Sequence, residues 1–178
     1  MHRIVLAALL ALAAAPSPAT AQEDVAASPT CRHCGMDRAR FATSRMVVEY
    51  DDGSRVGTCS IHCAAIDNAT TLDKAPRSFK VADMGTKALV DAEQATWVIV
   101  ASKPGVMTRR AKWAFADRAT AEAFASAQGG TLATFEEAMR ATYEDLYLDT
   151  RMIREKRRAM RQRAMEHPAA PPPAGKAP

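Results

Sequence analysis

Thr30-Cys31-Arg32-His33-Cys34-Gly35-Met36-Asp37 places two thiols, an imidazole and a thioether within six residues. A second thiol pair, Cys59 and Cys63, follows in Thr58-Cys59-Ser60-Ile61-His62-Cys63, and an isolated Met107 stands in Lys103-Pro104-Gly105-Val106-Met107-Thr108. These are side chains that a soft metal ion prefers. Cys-x2-Cys followed by a second close pair is a zinc pattern, four thiolates around one ion. Zinc does not explain Met36, whose neutral thioether is too soft for it. Cu(I) accepts thiolate and thioether together, and a thioether cannot be lost to a disulfide. Cu(I) is therefore the expected metal, with a structural zinc in the thiol cluster as the second reading.

The other chemistries of paired cysteines fit less well. A disulfide that closes a loop of two or three residues removes little chain entropy. A thioredoxin-like Cys-x-x-Cys opens a helix after a strand, whereas here Gly35-Met36 follows and the first strand comes later. No nucleophile–base pair and no Gly-rich phosphate loop is visible, so an enzyme is not expected. Met46 and Met139 lie on patterned apolar faces and read as core, the ordinary use of methionine; Met84 stays open. Met107 sits in a Pro-Gly loop without apolar periodicity, which favours a ligand role. His62 is a candidate auxiliary ligand on a polar face. His33 is expected to point to solvent.

The elements that would position these residues can be read in order. Arg45–Tyr50 is a β-branched run, Asp51-Asp52-Gly53-Ser54 a turn, and Arg55–Cys59 a returning strand, an Asp-Gly hairpin signal. Ser60 then caps a short helix through about Asn68. Further on, Ser78–Ala82 and Thr96–Ala101 read as strands. Ala111–Ala116 alternates, with Trp113 and Phe115 on one side. Asp117 caps a helix that stops at Gln128-Gly129-Gly130. A strand over Thr131–Phe135 precedes a helix from Glu136, on which Met139, Tyr143, Leu146 and Tyr147 share a core-facing stripe. The expected fold class is α+β: two ββα halves, residues 31–74 and 75–147, then a basic helix over 148–167.

The chain has 178 residues and a formal net charge of +4. Its start reads as a secretory signal peptide over residues 1–21: a basic Met1-His2-Arg3, an apolar run to Ala15 too short to span a bilayer, and Ala19-Thr20-Ala21 before Gln22. Removing it takes away Arg3 and no acid, leaving +3. The expected location is periplasmic, and no lipidation cysteine stands at the cleavage point. Residues 22–30 read as a flexible leader and 168–178 as a disordered Pro/Ala tail. Arg151–Glu166 holds seven Lys/Arg against two Glu. It reads as a solvated extension, or as a contact with an anionic membrane surface or an acidic partner. An exported chain leaves no role for nucleic acid.

The motifs together resemble a family, the nitrous oxide reductase accessory proteins called NosL, which are periplasmic copper chaperones. Cys34-Gly35-Met36 looks like the family's Cys-x-Met motif, and Val81-Ala82-Asp83-Met84-Gly85 like its Asp-Met-Gly segment. Met107-Thr108 followed by Ala114-Phe115 and Ala123-Phe124-Ala125 is similar to its Met-containing loop, strand and Ala/Phe helix. Gly129-Gly130 with Phe135 is similar to its late Gly-Gly and Phe. The resemblance implies two treble-clef-like halves and one Cu(I) held by sulfur, with Cys34, Met36 and Met107 as ligands by position. It also implies delivery to copper-enzyme assembly machinery or an apo-enzyme client, nitrous oxide reductase. Typical members carry a lipidated cysteine and lack Cys31, Cys59 and Cys63. This chain is thus expected to use those three as alternate ligands or as the cage of a neighbouring metal.

Overall fold

The computed structural model describes residues 23–166; the expected signal peptide and the Pro/Ala tail lie outside them. The chain opens with a five-residue helix, α1 (Glu23–Ala27), and then the cysteine turn. A hairpin of β1 (Met46–Tyr50) and β2 (Arg55–Thr58) follows, with Met46 opposite Thr58 and Glu49 opposite Arg55. Its turn is set by Gly53, at φ 82, and by Asp52, whose carboxylate accepts the Ser54 N–H at 2.9 Å. Helix α2 (Ile61–Thr70) closes this first unit.

Strands β3 (Pro76–Ala82) and β4 (Leu89–Asp91) come next, and both join the first sheet, whose order is β2-β1-β3-β4, antiparallel throughout. The expected boundary near residue 74 separates α2 from β3 in sequence. In space β3 covers the edge of β1 that its hairpin partner leaves open, with Met46 opposite Val81. A second antiparallel sheet has β5 (Thr96–Val100) at its centre, between β6 (Ala111–Phe115) and β7 (Thr131–Ala133). Helix α3 (Arg118–Gln128) lies on it. Asp117 caps its start by accepting the Thr120 N–H, and Gly129, left-handed at φ 66, ends it. The long helix α4 (Phe135–Glu166) completes an α+β fold.

One core serves both sheets. Met46, Val48 and Tyr50 from β1, Phe79 and Val81 from β3, Trp97 from β5 and Phe135 and Met139 from α4 pack together, with Trp97 and Phe135 ring centroids 5.8 Å apart. Val98, Val100, Phe115, Ala121 and Ala125 form a second cluster beneath α3. The sheets are joined at Asp83, just after β3. Its buried carboxylate accepts the Ala116 N–H at 2.8 Å and the Thr86 N–H and hydroxyl at 2.7 and 2.8 Å, while the Met84 N–H donates to the Ala114 carbonyl. No helix of the described residues is long and apolar enough to cross a membrane.

Two expectations need correction. Residues 23–27, read as part of a flexible leader, are helical. Asp24 of α1 accepts from buried Arg38 at 2.6 Å and from buried Arg45 at 3.0 Å. Arg38 also donates to the carbonyls of Asp24, Ser28, Met46 and Thr58, so the segment is tied down by partners far along the chain. Tyr147, placed on the core-facing stripe of α4, is 70% exposed. Leu146 stays half-buried and Asp149 is buried, so at this level α4 turns a different edge, the one carrying Asp145 and Asp149, towards the rest of the fold.

Candidate metal centre

The first thiol pair sits on a tight turn. The Gly35 N–H donates to the Cys31 carbonyl at 2.9 Å and the Cys31 N–H to the Met36 carbonyl at 2.8 Å. Gly35 takes φ 74, a left-handed backbone that glycine adopts without a steric penalty. The Arg32 N–H donates to the Gly57 carbonyl and fixes the turn to β2. Cys59 leaves the end of β2, and Cys63 lies in the first turn of α2. Ser60 begins α2, but its hydroxyl makes no cap; it donates to the Val106 carbonyl at 3.1 Å and pins the Met107 loop to this corner.

These elements bring the four sulfurs within 4.8 Å of one another. Cys34 Sγ lies 3.5 Å from Cys59 Sγ, and Cys59 Sγ 3.7 Å from Cys63 Sγ, all four cysteines being free. Cys31, Cys59 and Cys63 are buried, whereas Cys34 is half-buried and opens the cluster to solvent. Met36, Met107, Phe41 and Val106 pack around the thiols. Met107 is held at φ 63, a conformation uncommon for a side-chain-bearing residue. Its loop is anchored to α4: the Arg109 N–H donates to Asp149 at 2.9 Å, and Arg110 and Lys112 both pair with Asp145 at 2.8 Å.

The thiols do not titrate alike. Hydrogen bonds from Cys34, Cys59 and Cys63 hold Cys31 far below the ordinary thiol value. Cys34 falls to about 7: the Cys31 sulfur pushes it up, and the Cys59 and Cys63 thiols outweigh that push. Cys59 and Cys63 are raised, first by Cys31 and then by Cys34. Thiols this close cannot all ionise without a cation, and their protons leave when a cation takes their place. The donor set is soft and dense enough for a thiophilic ion. The two short sulfur separations are also near the ~3.8 Å edge of a zinc tetrathiolate built from ~2.3 Å bonds.

The six sulfur residues singled out from the sequence, Cys31, Cys34, Met36, Cys59, Cys63 and Met107, lie in this one corner. The histidines do not behave as expected. His33 turns inward, its Nε2 2.7 Å from the Asp67 carboxylate, which also accepts from Tyr50 at 2.5 Å. His62 is on a buried face, not a polar one. Its Nδ1 stands 3.6 Å from Asp149, too far for a hydrogen bond. Burial keeps His62 below the ordinary imidazole value despite that carboxylate, and it is outside the sulfur cluster. Sequence reasoning missed Asp149 and Ser60 as supports of the Met107 loop. Their partners lie 40 and 46 residues away, and no local pattern announces such a contact.

Among solved structures, the crystal structure of the copper chaperone NosL from Shewanella denitrificans resembles this chain at 21% identity. The match covers 62% of this chain and 89% of that one, with a TM-score of 0.48. No curated protein matches. The NosL family profile matches residues 22–143, a span that runs from α1 through both sheets and every residue of the sulfur corner, and the chain belongs to the NosL family.

Proposed function

We propose that this protein is a Cu(I) carrier of an extracytoplasmic compartment, which receives the ion at the sulfur corner and passes it to a client copper protein. It acts by binding and release, without chemical turnover. The observation that carries the reading is the convergence of four thiols with two flanking thioethers, Met36 and Met107. Thiolates give Cu(I) affinity. Thioethers give exchangeable, uncharged ligands that an incoming acceptor can replace. The family membership agrees with this use. Family resemblance supports nitrous oxide reductase as the client, and the signal-like sequence of residues 1–21 supports a periplasmic carrier.

Purified protein kept reduced and titrated with Cu(I) against a chromogenic chelator tests the reading. About one ion per chain should bind tightly. Cys34→Ser should lower affinity more than Met36→Ala, and Met107→Ala should lower it least, since thiolate is charged and thioether is not. Unchanged affinity in all three variants would remove these residues from the site.

The sulfur separations of 3.5 and 3.7 Å support a second reading, a structural zinc held by Cys31, Cys34, Cys59 and Cys63. Metal analysis separates the two. Zinc retained at one equivalent and not displaced by Cu(I) would make the corner structural.

A further inference from the structure

Beyond residue 150 helix α4 leaves the core, and its side chains are exposed except for half-buried Met152 and Ile153. Arg151, Arg154, Arg157, Arg158 and Arg161 recur at helical spacing, so they share one face over about 15 Å of helix. Glu155 pairs with Arg151 at 3.7 Å. Among the described residues no carboxylate pairs with Arg154, Arg157, Arg158 or Arg161. The face is also placed at the metal corner. Arg157 reaches the Cys34 carbonyl at 3.5 Å, and Cys34 is the thiol through which the cluster meets solvent. The root of the helix is fixed to the Met107 loop through Asp145 and Asp149.

We propose that this arginine face is the docking surface for a carboxylate-rich protein partner, seated so that the partner's own metal ligands meet Cys34. The proposal rests on the carrier reading above. Two features favour a protein over a lipid surface. The face is built from arginine alone, whose planar fork pairs bidentately with carboxylates and holds a partner in one orientation. The opposite side carries Ile153, Met160 and Ala164 but is broken by Lys156 and Arg163, so it offers no continuous apolar face to enter a bilayer.

The test uses the full chain loaded with Cu(I) and two synthetic acceptor peptides with the same Met/Cys ligands, one flanked by glutamates and one by glutamines. At about 20 mM salt, transfer to the glutamate peptide should be at least about ten-fold faster than to the glutamine peptide. At about 0.5 M salt the advantage should vanish. R154E/R158E/R161E should abolish it while leaving Cu(I) affinity unchanged. Equal rates for the parent, or an undiminished advantage in the variant, would overturn the proposal. So would parent protein that sediments with phosphatidylglycerol vesicles, loses that binding in the variant, and shows no preference for the glutamate peptide. Should the chain bind no Cu(I), the carrier reading fails by itself. Anisotropy of the labelled glutamate peptide with metal-free protein then decides the docking: binding lost in the variant sustains it, and no binding ends it.

Discussion

At the scale of single residues, Met107 is where stability and the proposed function pull apart. Its left-handed backbone costs on the order of 1 kcal/mol for a residue with a Cβ, and its side chain packs on thiols instead of the main core. Lys87 shares the angle, also at φ 63, but its side chain is exposed on the turn between β3 and β4 and touches no thiol. Met107→Gly should therefore be at least as stable as Met107→Ala, by up to about 1 kcal/mol in urea unfolding, because glycine removes the strain. Both variants should bind Cu(I) more weakly than the parent. If Met107→Gly is clearly the less stable of the two, the loop is not strained and its shape needs no functional explanation. The residue types were legible in the sequence because chemistry restricts them: thiols and thioethers at close spacing have few common uses. Residue surroundings were not legible. His33 finds Asp67 across 34 residues, and His62 is buried by α4, an element that starts more than seventy residues later.

At the scale of elements, the hairpin and α3 could be read because each is specified by its own residues, Asp52-Gly53 for the one and Asp117 and Gly129 for the other, while α2 starts at Ser60 without the side-chain cap its sequence suggests. Strand β4 and helix α1 could not. Three residues of β4 are a strand only because β3 presents an open edge, and α1 is held by Arg38 and Arg45. The Asp-Met-Gly segment shows the same dependence. Asp83 looks like a turn residue, yet its carboxylate joins the two sheets by accepting from both Thr86 and Ala116. Asp83→Ala should cost about 3 kcal/mol, since three donors, the Thr86 N–H and hydroxyl and the Ala116 N–H, lose one buried acceptor at once. Burial works to raise the Asp83 pKa, and the Thr86 and Ala116 N–H groups outweigh it, leaving the carboxyl below its ordinary value of 3.8. A carboxyl depressed in the folded state adds stability above its unfolded value and loses it as pH falls through the folded one. The Tm of the parent should thus fall more steeply than that of Asp83→Asn as pH drops from about 5 to about 2. Parallel curves would mean that Asp83 carries no such linkage.

At the scale of the whole molecule, the first described element, α1, is held by partners far along the chain. Asp24 is the shared carboxylate of two fully buried guanidinium groups, Arg38 and Arg45. Burial lowers the Arg38 pKa and Asp24 opposes that shift. Asp24→Ala would strand buried charge and should cost about 3–5 kcal/mol, measured by urea unfolding. A loss under about 1 kcal/mol would show that the arginines are served well enough by backbone carbonyls.

The metal itself should act on the whole molecule. The corner joins three segments that are distant in sequence: the cysteine turn at 31–36, the start of α2 at 59–63, and the loop at 102–110. An ion bound by folded protein and not by the unfolded chain stabilises by mass action, about 2.7 kcal/mol at a hundred-fold excess over Kd. Amides that exchange by local opening should gain protection chiefly in segments that supply ligands or are fastened directly to them. Cu(I) should slow amide hydrogen exchange in all three segments together, and a chelator should reverse it. Met107→Ala should preserve the slowing in the first two and lose it in the loop. A loop that exchanges equally fast with and without Cu(I) in the parent would mean that the copper is held by the thiols alone and that Met107 only packs against them.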